Sequence, residues 1–346
     1  MNATQTATGS TVASVAMATL AFTSLLANVC VSLVIIWTPQ LRAQFNHVLT
    51  LSLFVLDTLI SLFVMPLDIS SYIQGHWPIG DTFCQIHGVL SSSLMTASML
   101  TLCAISMERC YSIHAPMHYA AHMTLPRTIA VIICIWIQAL LVSLMPLFGW
   151  NSYAYRSHRA QCSISWDEHR SYVVLFSVFS FVLPGVTMVA MYSAIFRIAR
   201  QSAQQIAPEV SMATIPAISI HWKAARTLLS LISVFLVSWL PYFVVALLGV
   251  RQEPRVQLAV TWLGLSSLAL NPMLYGYLNR SIREAAISCC EELKNMCLRR
   301  TVDDEAAAPT ENEDFFQFLE RTSVTRAVSI RCSQSQIFAH SPTITE

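Results

Sequence analysis

The sequence predicts an all-α membrane protein, a bundle of seven transmembrane helices. Three observations carry that reading. Only 11% of the 346 residues are charged and 55% are hydrophobic, against about 25% charged in a soluble domain, and the mean hydropathy is +0.55. The apolar residues come in unbroken blocks of the roughly 20 residues that a bilayer core demands. Lys and Arg gather in alternate links between those blocks. The alternating segments of about 10 residues that a β-barrel needs are absent. A net charge of +1, with no basic stripe carrying interleaved aromatics, argues against a nucleic-acid partner.

Seven stretches qualify as spans, at about 14–38, 48–73, 83–113, 128–149, 171–199, 224–249 and 256–278. The links carry turn and charged residues, as in "TPQLRAQFN", "GHWPIGD" and "VRQEPRV". With residues 1–13 outside, Arg42, Arg109, Arg127, Arg197, Arg200, Lys223, Arg226, Arg280 and Arg283 fall on the inner side. The positive-inside rule therefore puts the first tail outside and the last tail in the cytoplasm, as in a multi-pass plasma-membrane protein. The first tail has no basic n-region, so the first span is expected to insert the chain itself. Asn2-Ala3-Thr4 is a glycosylation sequon on the outer side.

Polar residues within spans carry most of the information, because a charge at mid-bilayer costs about 2.5–3.5 kcal/mol. Asn28 marks the first span, Asp57 the second, Ser98 the third and Asn271 the seventh, at similar depths. Such a cluster holds water, a proton or Na⁺, or is a purely structural hydrogen-bond network. Cys84 opens the third span and Cys162 lies in the loop after the fourth. Both are on the oxidising side, where a disulfide is chemically reasonable and two free thiols are the alternative. Arg109 lies 25 residues beyond Cys84, about 37 Å of helix, against a core of about 30 Å. Glu108 and Arg109 thus emerge at the cytoplasmic surface, an inner rim where a cytosolic protein can dock. Met117 follows on the next loop. Pro184, Pro241 and Pro272 interrupt the fifth, sixth and seventh spans and predict kinks. Cys289 and Cys290, just past the last span, are palmitoylation candidates.

Taken in order, these residues resemble the rhodopsin-like (class A) G-protein-coupled receptors over about residues 14–291. The motifs are Asn28 in "LLANVCV", Asp57, Trp77 and Cys84 in "GHWPIGDTFC", Glu108-Arg109-Cys110, Trp136, Pro146, Cys162, Pro184, Tyr192, "SWLPY" and "NPMLY". The resemblance implies that Arg109 meets a heterotrimeric G protein when the sixth span moves. Trp239 would be the switch below a ligand pocket of Ser91, Met95, Phe176, Ser180, Trp239, Phe243, Thr261 and Trp262. Tyr192 and Tyr275 would stabilise the active bundle. Asp57, Ser98 and Asn271 match an allosteric Na⁺ site, with no other cofactor or metal expected. Residues 279–291 resemble an amphipathic eighth helix on the inner leaflet, in contact with membrane lipids. The acidic, Ser-rich stretch 292–346 has a composition that favours disorder. Its Ser and Thr suit receptor kinases and arrestin. A receptor dimer is a further candidate.

Several departures shape the expectation. Cys110 replaces the usual Tyr, and His221 stands where many members place a Glu that latches the arginine, which implies weakened restraint and raised basal signalling. Ser91 stands where amine receptors carry Asp, and Leu265 where opsins carry Lys, so the ligand is an unknown small molecule or lipid of neither class. "MHYAAHMTL", "CSISW" and "EDFFQFLE" resemble the orphan receptors numbered sixty-one and sixty-two; "PLFGW" and "TASML" point to the orphan numbered one hundred and sixty-one. Both resemblances imply constitutive signalling through Gs and cyclic AMP. The rival class is a transporter or proton channel using Asp57, but no inverted repeat accompanies it. No enzyme motif is present.

Overall fold

The computed structural model describes residues 3–166, 168–206, 215–248 and 253–307. Two compact units are distinguished, residues 1–286 and 287–346, and all spans lie in the first. Among the described residues six helices have the length and apolarity to cross a membrane: Ser10–Trp37, Phe45–Gln74, Asp81–His114, Leu125–Phe148, Arg170–Ile198 and Pro254–Leu278. Ile232–Leu248 is a further, shorter apolar segment within the long helix Ile215–Leu248. The seven expected spans are therefore all helical, in the expected order.

Local chemistry sets their ends. Gly75 and Gly80 adopt φ of 73° and 93°, conformations costly for a residue with a Cβ. They stop the second span and turn the chain into the third. Pro254 lies in the first turn of the seventh span, where a missing N–H costs nothing. The first helix begins at Ala3, well before the expected boundary at 14. Its early Ala, Thr and Ser residues contain no proline to stop it.

Prolines act differently from expectation in the fifth span. Pro184 does not simply kink a helix: a π-helical turn, Val178–Val182, stands just ahead of it. The second span has the same device, with Ile60–Val64 preceding Pro66, a break the sequence analysis missed. A proline ring collides with the carbonyl four residues back, and a wider turn there relieves the collision. Pro241 and Pro272 instead lie inside continuous helices.

The loop after the fourth span folds into an antiparallel hairpin, β1 (Tyr153–Arg156) on β2 (Gln161–Ile164). All four β2 residues are buried, unusual for a connecting loop. Cys84 and Cys162 form a disulfide with Cα atoms 5.3 Å apart, which ties β2 to the third span. Tyr153 donates to the Ser143 carbonyl at 2.8 Å. Burial pushes its phenol up to about 12, so it remains a donor at physiological pH. Gly88 faces this tyrosine; a Cβ there would lie 2.3 Å from Tyr153 Cδ1.

The last helix departs from the expected 279–291. It runs from Arg280 to Ala307, past the expected end at 291. Asn279 Oδ1 accepts the backbone N–H groups of Ser281 and Ile282, an N-terminal cap. The following residues include no Gly or Pro to end the helix. Cys289 is half-buried and Cys290 exposed. Residues 308–346 and Asn2 lie outside the described residues.

Candidate functional site

At the disulfide end of the bundle a cavity is enclosed by the third, fifth and sixth spans and the hairpin. Six expected pocket residues line it: Ser91, Met95, Phe176, Ser180, Trp239 and Phe243. Thr261 and Trp262 do not. Thr261 turns its hydroxyl back onto the Gln257 carbonyl at 2.8 Å, and Trp262 is packed into the core. The residues that sequence reasoning missed are Ser92, Thr96 and Met99 on the third span, Tyr242 on the sixth, and Gln161, Ser163 and Ile164 of β2 followed by Trp166. The available signal was the cysteine pairing, since a bond to Cys84 draws the neighbours of Cys162 against the third span. The space left holds about 30 Å³, room for roughly two waters.

The walls have definite chemistry. The π-turn ahead of Pro184 holds Ser180, whose hydroxyl bonds Thr96 across the spans at 3.0 Å. Phe181 stacks on Phe243 and Phe235 at 4.5 and 5.2 Å between centroids. Trp166 stands edge-on to Tyr242 at 5.7 Å. Its buried indole N–H has no hydrogen-bond partner among the described residues.

Below the cavity Trp239 donates from Nε1 to Ser267 Oγ at 3.0 Å, linking the sixth span to the seventh. The contact requires Gly264, where a Cβ would lie 2.9 Å from the indole.

The expected mid-span cluster forms in part. Asp57 Oδ1 accepts from Ser98 at 2.7 Å and Oδ2 from Asn271 at 3.3 Å. Asn28 is not a member of it. It donates to the carbonyls of Ser24 and Leu268, and Ser24 bonds Ser61, so this second network staples the first, second and seventh spans.

At the opposite end Glu108 is 3% exposed and pairs through Oε2 with Arg109 Nε at 3.3 Å. Its Oε1 accepts the phenol of Tyr119, which lies on the short helix Pro116–His122. Burial and then the Glu108 carboxylate raise the Tyr119 phenol above its usual range. The acid is thus shared between the third span and the following loop. Met117 on that loop is 84% exposed, an apolar side chain presented outward. Tyr275 is buried, edge-on to Phe54 at 5.4 Å, and Tyr192 packs on Phe196. The side chain of His221 lies outside the described residues.

One buried pair had no place in the sequence analysis. Asp68 Oδ1 lies 3.3 Å from His87 Nε2, at 1% and 2% side-chain exposure, between the second and third spans near the disulfide. An aspartate in the apolar run "FVMPLDISSY" was as readable as Asp57.

Comparison with known proteins gives these contacts a family. Residues 27–275 match the 7 transmembrane receptor (rhodopsin family) model. The chain is 33% identical to a probable G-protein coupled receptor of Oryzias latipes, covering 89% of this chain and 80% of that one. It is 28% identical to G-protein coupled receptor 161 of Danio rerio, covering 80% and 58% respectively, so it spans little more than half of that relative. That receptor belongs to the second of the two orphan groups the motifs resembled. The histamine H2 receptor of Rattus norvegicus is 32% identical over 79% of this chain and 77% of its own. These relatives are receptors and not enzymes. The chain belongs to the rhodopsin family of seven-transmembrane receptors.

Proposed function

We propose that this chain is a plasma-membrane receptor that activates a heterotrimeric G protein, with high ligand-free output through Gs and cyclic AMP. The N-terminus and the hairpin face outward, and the Arg109 end meets the G protein. The observation that carries the reading is the sequence of polar devices along the bundle. The hairpin-lined cavity sits over Trp239 and Ser267, the Asp57 cluster lies at mid-span, and Glu108 and Arg109 close the far end. A shift in the cavity would reach Arg109 by repacking the spans between them.

The ligand class follows from the walls. Among the described cavity-lining residues there is no carboxylate, and Ser91 lines the wall where amine receptors carry Asp, which favours a ligand other than an ordinary amine despite the likeness to a histamine receptor. The lining chemistry suits a small, largely apolar molecule with one acceptor for the Trp166 N–H, for which the cavity of about 30 Å³ has to widen. Asp57, Ser98 and Asn271 supply oxygens suited to an allosteric Na⁺. Narrower kinship with the orphan 161 receptors fits the motifs. Phosphorylation and arrestin binding belong to the tail, palmitoylation to Cys289 and Cys290, and glycosylation to Asn2. An imidazole at His221 in place of a latching acid favours the basal output.

The test is basal cyclic AMP in transfected cells, compared at matched surface expression with Arg109→Ala. Loss of the signal in the variant supports coupling through Arg109. A rise over untransfected cells that survives the substitution refutes it.

A further inference from the structure

The buried Asp68 and His87 take no part in the path from the cavity to Arg109. Asp68 follows the π-helical turn Ile60–Val64 and Pro66 on the second span. A wider turn shifts the helix phase beyond it, and Asp68 is buried on the shifted stretch with Met65 and Ser71. His87 lies on the third span between Cys84, held by the disulfide, and Gly88, which faces Tyr153. Across the 3.3 Å between Asp68 Oδ1 and His87 Nε2, neither residue completes an aligned side-chain hydrogen bond among the described residues. The indole of Trp77 covers the imidazole, with centroids 4.9 Å apart, and is itself held by Nε1 donating to the Gly80 carbonyl at 3.0 Å. The carbonyls of Val64 and Cys162 lie close to the same ring. These neighbours are acceptors or a π face, and both kinds favour a cation. From the hairpin the Tyr155 phenol faces Asp68 and donates to the Ser71 carbonyl at 3.3 Å. Burial raises the titration of that phenol above its usual range, so it stays neutral at physiological pH. The cystine of Cys84 and Cys162 does not titrate.

We infer that Asp68 and His87 form a binding site for one exchangeable proton from the outer solution, and that the bound proton holds the outer ends of the second and third spans together. A buried charge without a partner is costly. One proton on the pair, as aspartate with imidazolium or as acid with imidazole, leaves the site neutral overall. Without that proton the carboxylate is stranded; with a second, the imidazolium loses its counter-charge. The protons therefore leave in steps that belong to the pair and not to either residue. The site is separate from the ligand cavity, whose lining includes neither residue. Its state is felt at Ser71, one turn beyond Asp68, whose hydroxyl donates to the carbonyls of Asp68 and Ala160. Loss of the proton loosens the second span from the third and from the hairpin together.

Proton binding is tested on the purified chain; the outward orientation of the site and its effect on signalling rest on the proposed receptor function. Thermal unfolding of full-length wild type is compared with the neutral double variant Asp68→Asn/His87→Gln from about pH 5 to about pH 8.5. In an unfolded chain Asp titrates near about 3.9 and His near about 6.5, so the two groups together hold one proton between those values and none above. The folded pair keeps its proton above about 6.5, so the stability it supplies below that pH is lost as pH rises, by up to about tenfold in the folding constant per unit. The expected midpoint of wild type, relative to the double variant, is flat from about pH 5 to 6.5 and falls by roughly 2–4 °C per unit above it. Asp68→Asn leaves an imidazole without a counter-charge and is expected to lose stability on acidification instead. It also serves as the reference if the double variant does not accumulate, with the same sign of difference at high pH. Parallel curves for wild type and double variant, a wild type that weakens relative to it between about pH 6.5 and 5, or a wild-type slope retained in Asp68→Asn overturns the proposal. In cells, ligand-free cyclic AMP is expected to change by roughly twofold or more between outer pH of about 6.5 and 8, within the tenfold per unit that one proton supplies, and to stay level in the double variant. An unchanged wild-type output, or an equal change in the double variant, overturns the signalling role. Output insensitive to Arg109→Ala would instead sink the receptor reading, while leaving the midpoint comparison intact.

Discussion

Gly264→Ala measures how tightly the seventh span is fitted to Trp239. The new Cβ would lie 2.9 Å from indole Cε3 and Cζ3 and 3.2 Å from Cη2. Carbon atoms settle at about 3.5–4.0 Å, so the ring must retreat by roughly 0.6 Å or more. The Trp239–Ser267 hydrogen bond, now 3.0 Å, is then stretched toward the edge of useful geometry. Overpacking costs about 1–3 kcal/mol and the weakened bond about 1 kcal/mol. Against this, alanine gains about 0.8–1 kcal/mol over glycine in a helix. The collision wins, with a net loss of about 1–3 kcal/mol, or roughly 2–6 °C in unfolding midpoint. Gly276→Ala on the same helix is the control, because nothing lies within 4 Å of its Cβ position. There the helix gain stands alone and the midpoint holds or rises. Both variants are compared by thermal unfolding of purified receptor, alongside ligand-free cyclic AMP. If Gly264→Ala proves as stable as Gly276→Ala, and its output is that of wild type, the fit between Gly264 and Trp239 does not constrain the switch.

Two further substitutions probe other contacts. Gly88→Ala sets a Cβ 2.3 Å from Tyr153 Cδ1 and 2.7 Å from Cγ. These atoms are near the backbone, so the hairpin itself must lift. The cost is about 3 kcal/mol, read as faster hydrogen exchange across residues 153–164; unchanged protection would refute the contact. Asp57→Asn keeps the shape of the mid-span cluster but removes its charge. Replacing K⁺ by Na⁺ at constant ionic strength should raise the midpoint of wild type and leave the variant flat. Equal responses would exclude Asp57 as the Na⁺ ligand.

Much of this receptor was legible in one dimension because a bilayer forces the choice. With no water to satisfy backbone groups, each apolar run of about 20 residues has to become a helix. Its depth, order and direction then follow from counting residues and locating Lys and Arg. The same counting placed Asp57 level with Ser98 and Asn271, and Glu108 with Arg109 at the far end. What counting does not reach is the rotation of each helix and the path of its loops. Asn28 has the right depth but faces Leu268 rather than Asp57. Thr261 and Trp262 have the right height yet do not line the cavity. The buried hairpin supplies a wall that no periodicity announces, because its position depends on a disulfide and a glycine opposite Tyr153. Chain-local physics determined the spans and their polar levels, since hydropathy and helix rise are properties of consecutive residues. Only the tertiary structure decided which side chains share the cavity, because those contacts join residues far apart in the chain.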